Sequence, residues 1–558
     1  MQSSHVDLFK NKANETEEHF ADDATRVIKS GTNILLEIMK TTLGPKGSMK
    51  ILQGKENAIT NDGAYILNNL LIESPSARIL IDSSIAQDFE EGDGTTSIAV
   101  LSALILKHSY ESKVAPIHII RGINLATSKI EEILNYKKIP ATHREIENLV
   151  KTTLNSKVLN SNLQLFTDIC INAVNNLDDD CNLNLINIVK IEGDLSESRW
   201  IDGIIVKKEL KIPDQNLETD FQSESEDTVS KEVKNLSLKN KLNCNILYEM
   251  KNPKILVANT SLDYDKIKVF SSQISVTSIR ELEEIEGAEK ERMMDKISNI
   301  CEMNFDIFVN RQIIYDYPMQ LLLDRNKTVM ENSDFENVEK LSKVLEANVL
   351  SHFSKDNKEN EEIILGKCEK VESIEIKGTK LTRFSGVKKG ASTIVLFGSN
   401  ASLLEEAERS LHDALCVLKR IKKSKFVLLG GGNVESMLSF EMLKYSQEIK
   451  TLLSEGPLIL SKALMEFVEI LCENCGFNAP AFRSAITALY NLRTTYQKNN
   501  FTSGLNVKTG EPGCMKSLQV FEGFSMKLRV LKAACETAQA IFKCDGVIQQ
   551  PPRERQRH

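Results

Sequence analysis

The chain has 558 residues, 41% of them hydrophobic and 27% charged, enough for roughly three or four domains that each bury a core. Its 78 acidic against 70 basic residues leave a net charge of −8, which argues against nucleic acid as a main partner. The N-terminus carries Asp7, Glu15, Glu17 and Glu18 where a signal peptide would be basic and then apolar, and the longest apolar run, Ile98 to Leu106, is too short to span a bilayer. A cytoplasmic protein with no membrane partner is therefore expected. Eleven cysteines without scaffold-like spacing fit a reducing compartment.

In chain order, Val27, Ile28, Ile34, Leu35, Ile38 and Met39 recur at helical spacing, and the helix stops at Thr42-Leu43-Gly44-Pro45. Thr60-Asn61-Asp62-Gly63-Ala64 is an acidic glycine turn. Glu91-Gly92-Asp93-Gly94-Thr95-Thr96-Ser97 then opens a second helix, predicted over 97–110. Two glycines let backbone N–H groups approach an anion, Asp93 can hold Mg²⁺, the threonines offer hydroxyls, and a helix N-terminus favours phosphate. Taken alone, Gly-Asp-Gly is equally an ordinary turn.

Between about 185 and 400 the pattern changes to short β-like runs, at 201–206, 254–258, 305–310 and 393–397, mixed with helices. From Asp214 to Ser230 there are six acidic residues and no basic one, which reads as a solvated loop; 355–362 reads as a polar surface turn. A long helix is predicted over 407–422, with Leu411, Leu415 and Leu418 as its apolar face and Asp413 pointing away from the core. Phe426 to Leu429 reads as a strand running into Gly430-Gly431-Gly432 and a helix near Asn433, a junction where backbone can lie flat against a base or ribose. Cys472 and Cys475 lie in a helical run, 463–475, with no second pair nearby, so core packing is expected over metal or redox use. A last helix is expected over 525–542. Neither the P-loop nor the dinucleotide-binding motif occurs.

Thr-Leu-Gly-Pro-Lys-Gly (42–47), Thr-Asn-Asp-Gly-Ala (60–64), Gly-Asp-Gly-Thr-Thr-Ser (92–97), Asn-Ser-Lys (155–157), Glu-Arg-Ser-Leu-His-Asp-Ala-Leu (408–415) and the triple glycine occur in the order seen in group II chaperonins. From about Val6 to Arg555 the chain resembles that family, and within it the eukaryotic cytosolic branch, TRiC/CCT. The resemblance implies an α/β multidomain fold. A mostly α-helical equatorial domain would come from both chain ends (1–143 and 401–558), with a small α/β intermediate domain from 144–211 and 366–400. The α/β apical domain, 212–365, would carry a helical protrusion, with the acidic stretch as an insertion near 214–243.

The resemblance also implies a site for ATP or ADP with Mg²⁺. Asp93 would ligate the metal; Gly94, Thr95, Thr96 and Ser97 would hold phosphates; Leu43, Gly44 and Pro45 would line the nucleotide. Asp62 would sit near the γ-phosphate and the attacking water, Lys157 with Asn155 and Ser156 would sense the γ-phosphate, and Asp413 would orient or deprotonate the water. Gly430, Gly431, Gly432 and Gly504 would face the base and ribose, with Glu522 as the ribose-binding acid and Lys527 beside it. Cys514 and Asn506 depart from the aspartates usual there, and Gly193-Asp194 replaces a usual pair of glycines. Two functions therefore remain open: an ATP-hydrolysing chaperone subunit, or a ring member that binds nucleotide but hydrolyses it weakly.

The implied partners are paralogous subunits in an eight-membered double ring and non-native client proteins, actin and tubulin types among them in the family. The protrusion is expected near 261–284. Client contacts would come from the helix near 335–345 and loops around 196–200 or 212–221, although the stripe Phe335, Val338, Leu341, Val344 and Leu345 also reads as core. Trp200 reads as half-buried packing.

Overall fold

A computed structural model describes residues 17–53, 58–72, 74–178, 181–213, 245–262, 279–351, 353, 364–388, 390–495 and 502–549. The acidic stretch 214–230, the turn 355–362 and most of the expected protrusion, 263–278, lie outside them. Contacts divide the chain into two compact units, one formed by 1–170 with 399–558 and the other by 171–398.

The first unit is built around the helix Thr95–Glu111. Ile98 to Leu106, the longest apolar run of the sequence, is buried without interruption along it. A helix apolar all round has no solvent face and must be central. The helices Ala21–Lys40, Pro75–Glu91, Glu455–Asn474 and Phe524–Phe542 pack around it, drawn from both chain ends. Its C-terminal end is tied to Glu455–Asn474 by Glu466, which accepts from Lys107 Nζ at 2.6 Å and bonds His108 Nε2 at 2.7 Å. Burial alone would raise the Glu466 carboxyl, but the hydrogen bonds from His108 and Lys107 hold it down at about 2. With that end fixed, the N-terminal end at Thr95 is presented to a cavity. Cys472 and Cys475 are buried, unpaired by any disulfide and part of the same apolar core, so the C-x-x-C pair is packing.

Small sheets fix the rest of this unit. Phe426–Leu429 pairs antiparallel with Phe521–Gly523 and Ile139–Pro140, and Glu17–Phe20 pairs with Gly546–Gln549. The predicted helix at 407–422 extends over Ala401–Ser424, with Asn400 as its cap: Oδ1 accepts from Leu403 N at 2.7 Å.

In the second unit, strands Thr328–Met330, Ile307–Asn310, Lys254–Ala258, Gly366–Ile376, Thr379–Val387 and Ile204–Val206 lie side by side in that order. The pairs among 254–258, 307–310 and 328–330 are parallel, and all of Ile307 to Asn310 is buried, as strands covered on both faces require. Ser392–Gly398 forms a separate sheet, parallel to Ile186–Glu192 and antiparallel to Arg199–Asp202. Trp200 is half-buried there, its indole N–H donating to Ser392 Oγ at 3.1 Å. Helix Phe335–Leu345 has the predicted bounds, and its stripe divides: Val338, Leu341, Val344 and Leu345 are core, whereas Phe335 is 62% exposed beneath the Arg311 guanidinium. Asp194 caps a short turn by accepting from Ser196 N at 3.2 Å. Among the described residues no helix is long and apolar enough to cross a membrane.

Candidate nucleotide site

A cavity of about 600 Å³ opens in the first unit, within the usual size of small-molecule pockets. One wall is the junction between helices Pro75–Glu91 and Thr95–Glu111. Gly92 (φ 70°) ends the first helix, its N–H donating to Asp88 O, and Gly94 (φ 81°) begins the second. A Cβ at Gly94 would sit 2.8 Å from Val530 Cγ2, so both backbone angle and space require glycine. No side chain caps this helix, leaving its first N–H groups and the positive end of its dipole facing the cavity. Ser84 Oγ holds the carbonyl of Thr95 and Gln87 Nε2 that of Asp93, both at 2.9 Å, from behind.

A second wall carries the charges. Lys157, just past helix His143–Asn155, pairs with Asp413 at 2.8 Å, and both side chains are about nine-tenths buried. Burial opposes the Lys157 ammonium, yet Asp413, Asp62 and Asp93 outweigh it and hold its pKa above the ordinary value. Burial pushes the Asp413 carboxyl well up, and Lys157 only partly offsets this because Asp62 and Asp93 add repulsion. Asp93 is also raised, by lost hydration first, against the pull of Lys157 and the Gly94 N–H. Asp413 thus does not point to solvent as its helix pattern suggested; it is 6% exposed. Asp413, Val417, Arg420, Ile421 and Ser424 form a second stripe of the same helix, and that stripe lines the cavity.

The third wall is the glycine junction. Gly431 (φ 65°) and Gly432 (φ 71°) lead into helix Asn433–Glu448. A Cβ at Gly431 would meet Met515 Sδ at 2.6 Å. Across from it, Lys527 Nζ bonds Glu435 Oε1 at 2.6 Å and pairs with Glu522. Burial works against the ammonium, but these two carboxylates keep its pKa above the ordinary value; burial first, then Glu435, raises Glu522 against Lys527. Leu43, Phe467, Leu471, Leu505, Val507, Leu518 and Val520 make the remaining end apolar. Leu43 and Lys40 are held by Asn474, whose Nδ2 donates to both carbonyls, at 2.8 and 2.7 Å.

Of the residues singled out in the sequence, the cavity gathers Leu43, Gly44, Pro45, Asp93, Gly94, Thr95, Thr96, Ser97, Asn155, Ser156, Lys157, Asp413, Gly431, Gly432, Glu522 and Lys527. Asp62, Gly430 and Gly504 are not in its lining. Asp62 caps the helix Gly63–Asn69, accepting from Ala64 N at 3.1 Å, and acts on the site through charge. Gly430 and Gly504 stand behind the wall: Gly430 N donates to Val520 O, and a Cβ on Gly504 would lie 2.7 Å from Gly431 O. Asn61, Glu435 and Arg420 were missed. Glu435 lies three residues after the triple glycine, where an acid at a helix N-terminus was the available signal.

The residues fit a nucleotide carrying a divalent cation. An apolar slot leads to backbone N–H groups, and one ammonium, paired with Asp413, also feels the charges of Asp62 and Asp93, an excess of negative charge that a cation would relieve. Among the described residues no three acidic, His or Cys side chains form a ready-made metal cage. Mg²⁺ in general is held by one or two carboxylates together with phosphates and water.

The profile of the TCP-1/cpn60 chaperonin family matches residues 35–552. The chain belongs to this family. Its relatives include T-complex protein 1 subunit beta of Encephalitozoon cuniculi, 43% identical over 553 residues, 99% of this chain and all of the relative. The subunits of that name from Saccharomyces cerevisiae and Homo sapiens are 35% and 34% identical, covering 93% and 99% of this chain and 93% and 97% of the relatives. The beta-type likeness agrees with segments 309–318 and 407–418, which resemble that subunit as 263–270 does outside the described residues. The multidomain chaperonin fold expected from the motifs is thereby established for the chain.

Proposed function

We propose that this chain is an ATP-hydrolysing subunit of a hetero-oligomeric chaperonin, which uses Mg-ATP to drive enclosure of non-native proteins. The observation that carries the reading is the convergence of an uncapped, glycine-led helix N-terminus with the buried Lys157–Asp413 pair on one cavity. The assembly with paralogous subunits, in eight-membered double rings, rests on the names of the relatives and on the family.

The N–H groups at 95–97 would take the phosphates, and the bound Mg²⁺ would neutralise their charge. Lys157 would leave Asp413 in part to meet the γ-phosphate, so phosphate and carboxylate compete for one ammonium. Asp413, freed and basic for a carboxylate, would accept the proton of the attacking water, with Asp62 acting on it through charge from behind the lining. The apolar slot would take the base, and Glu522 the ribose hydroxyls. Loss of the γ-phosphate returns Lys157 to Asp413, which gives the chain two electrostatic states to couple to lid closure.

The departures at Asn506 and Cys514 do not favour the weakly hydrolysing alternative. Asn506 Oδ1 accepts from Lys508 N at 3.0 Å, the turn an aspartate would make, and exposed Cys514 lies off the lining. Asp93→Asn tests the reading. The Mg²⁺ concentration needed for ATP binding should rise about tenfold or more with metal-free ATP binding retained. An unchanged Mg²⁺ requirement would remove Asp93 from the metal and with it this account of the phosphate wall.

A further inference from the structure

Asn61 lies in the turn before Asp62 and is 7% exposed. Its Nδ2 donates to the carbonyl of Ser156 at 2.6 Å, across 95 residues of sequence. Ser156 ends the helix His143–Asn155 and precedes Lys157, so the bonded carbonyl belongs to the peptide unit from which Lys157 departs. The other face of the amide is unusual. Oδ1 is buried and has no hydrogen-bond partner among the described residues. Because Nδ2 faces a carbonyl, the orientation of the amide is fixed by its acceptor and the orphan oxygen is not a flip. An unpaired buried acceptor is a free-energy penalty, tolerated where the donor is needed.

We infer that Asn61 is a positioning residue that fastens the Lys157 segment to the Asp62 turn, so that the ammonium and the carboxylates keep register when Lys157 exchanges Asp413 for phosphate. Thr60 Oγ1 accepts from Asp62 N at 3.0 Å and so makes the turn rigid on its own side. The amide of Asn61 is then the described hydrogen bond that carries this rigidity to the 155–157 segment. A helix C-terminus needs some partner for its last carbonyls, and a purely structural cap would do no more than that. The chemistry of the inference rests on the nucleotide reading of the cavity; the anchoring does not.

Two readouts on the full chain in its assembled complex separate the possibilities. In nucleotide-free protein, Asn61→Ala and Asn61→Asp, neither of which donates, should speed amide exchange of residues 155–158 about tenfold or more and leave 92–97 unchanged. In turnover, Asn61→Ala should lower kcat about tenfold or more with ADP affinity within about threefold, because ADP lacks the phosphate that Lys157 meets; adding Lys157→Gln should then cause little further loss. Unchanged exchange at 155–158 would overturn the anchoring. Faster exchange with kcat intact, or additive losses with Lys157→Gln, would overturn the coupling to Lys157. If the unsubstituted chain binds no ATP, the nucleotide reading fails and the exchange result still decides the anchoring.

Discussion

Asp413→Asn in the full chain is expected to slow single-turnover ATP hydrolysis about 10²–10⁴-fold, the range a positioned general base supplies, with nucleotide affinity changed far less. The substitution keeps the shape of the side chain and removes its basicity. The accompanying pH behaviour follows in sign. The base acts as carboxylate, so hydrolysis is lost as pH falls through its folded pKa, and burial with the nearby Asp62 and Asp93 places that pKa well above 3.8. The acid limb of hydrolysis should therefore lie well above 3.8 and should vanish in the Asn variant. A wild-type limb at the ordinary carboxylate value would mean that Asp413 is not the group titrating. A turnover rate within threefold of wild type would remove it from the chemistry.

Lys527→Met is expected to destabilise the first unit by about 3–5 kcal/mol, the usual result of removing one member of a buried ion pair. Lys527 stands between Glu435 and Glu522, and its loss leaves one buried and one largely buried carboxylate without the ammonium they share. One of them must take up a proton. The thermal midpoint should fall, and it should recover in part in the double variant Lys527→Met with Glu435→Gln, since the second change removes the stranded charge. A Met variant with an unchanged thermal midpoint would show that the triad contributes nothing to the fold at the glycine junction.

Both effects arise at places the sequence disclosed unequally. The loop 92–97 was readable as a glycine-led helix start because its residues adjoin in sequence, although Gly-Asp-Gly reads equally as a turn and the roles given to its side chains came from the resemblance. The apolar run 98–106 was visible too, although its central position follows only from its having no polar face. The Asp413 environment was not legible from one helix. Leu411, Leu415 and Leu418 define one buried face, and nothing in their spacing reveals that a second face is buried against the cavity wall. Lys527 with Glu435, and Asn61 with Ser156, are joined across 92 and 95 residues respectively. Such pairings have no periodicity to betray them. The stripe on Phe335–Leu345 failed in the opposite sense: one pattern concealed two roles, with Phe335 outside and its partners in the core.

The cavity of this chain is proposed to take Mg-ATP between residues 93–97 and the glycines Gly431 and Gly432. Photoaffinity labelling of the assembled complex with 8-azido-ATP, mapped by peptide, tests it most directly. Mg²⁺-dependent labelling of this chain is expected in peptides from 426–433 or 505–522, abolished by excess ATP. Labelling of the paralogous subunits in the same sample with none in this chain would contradict it.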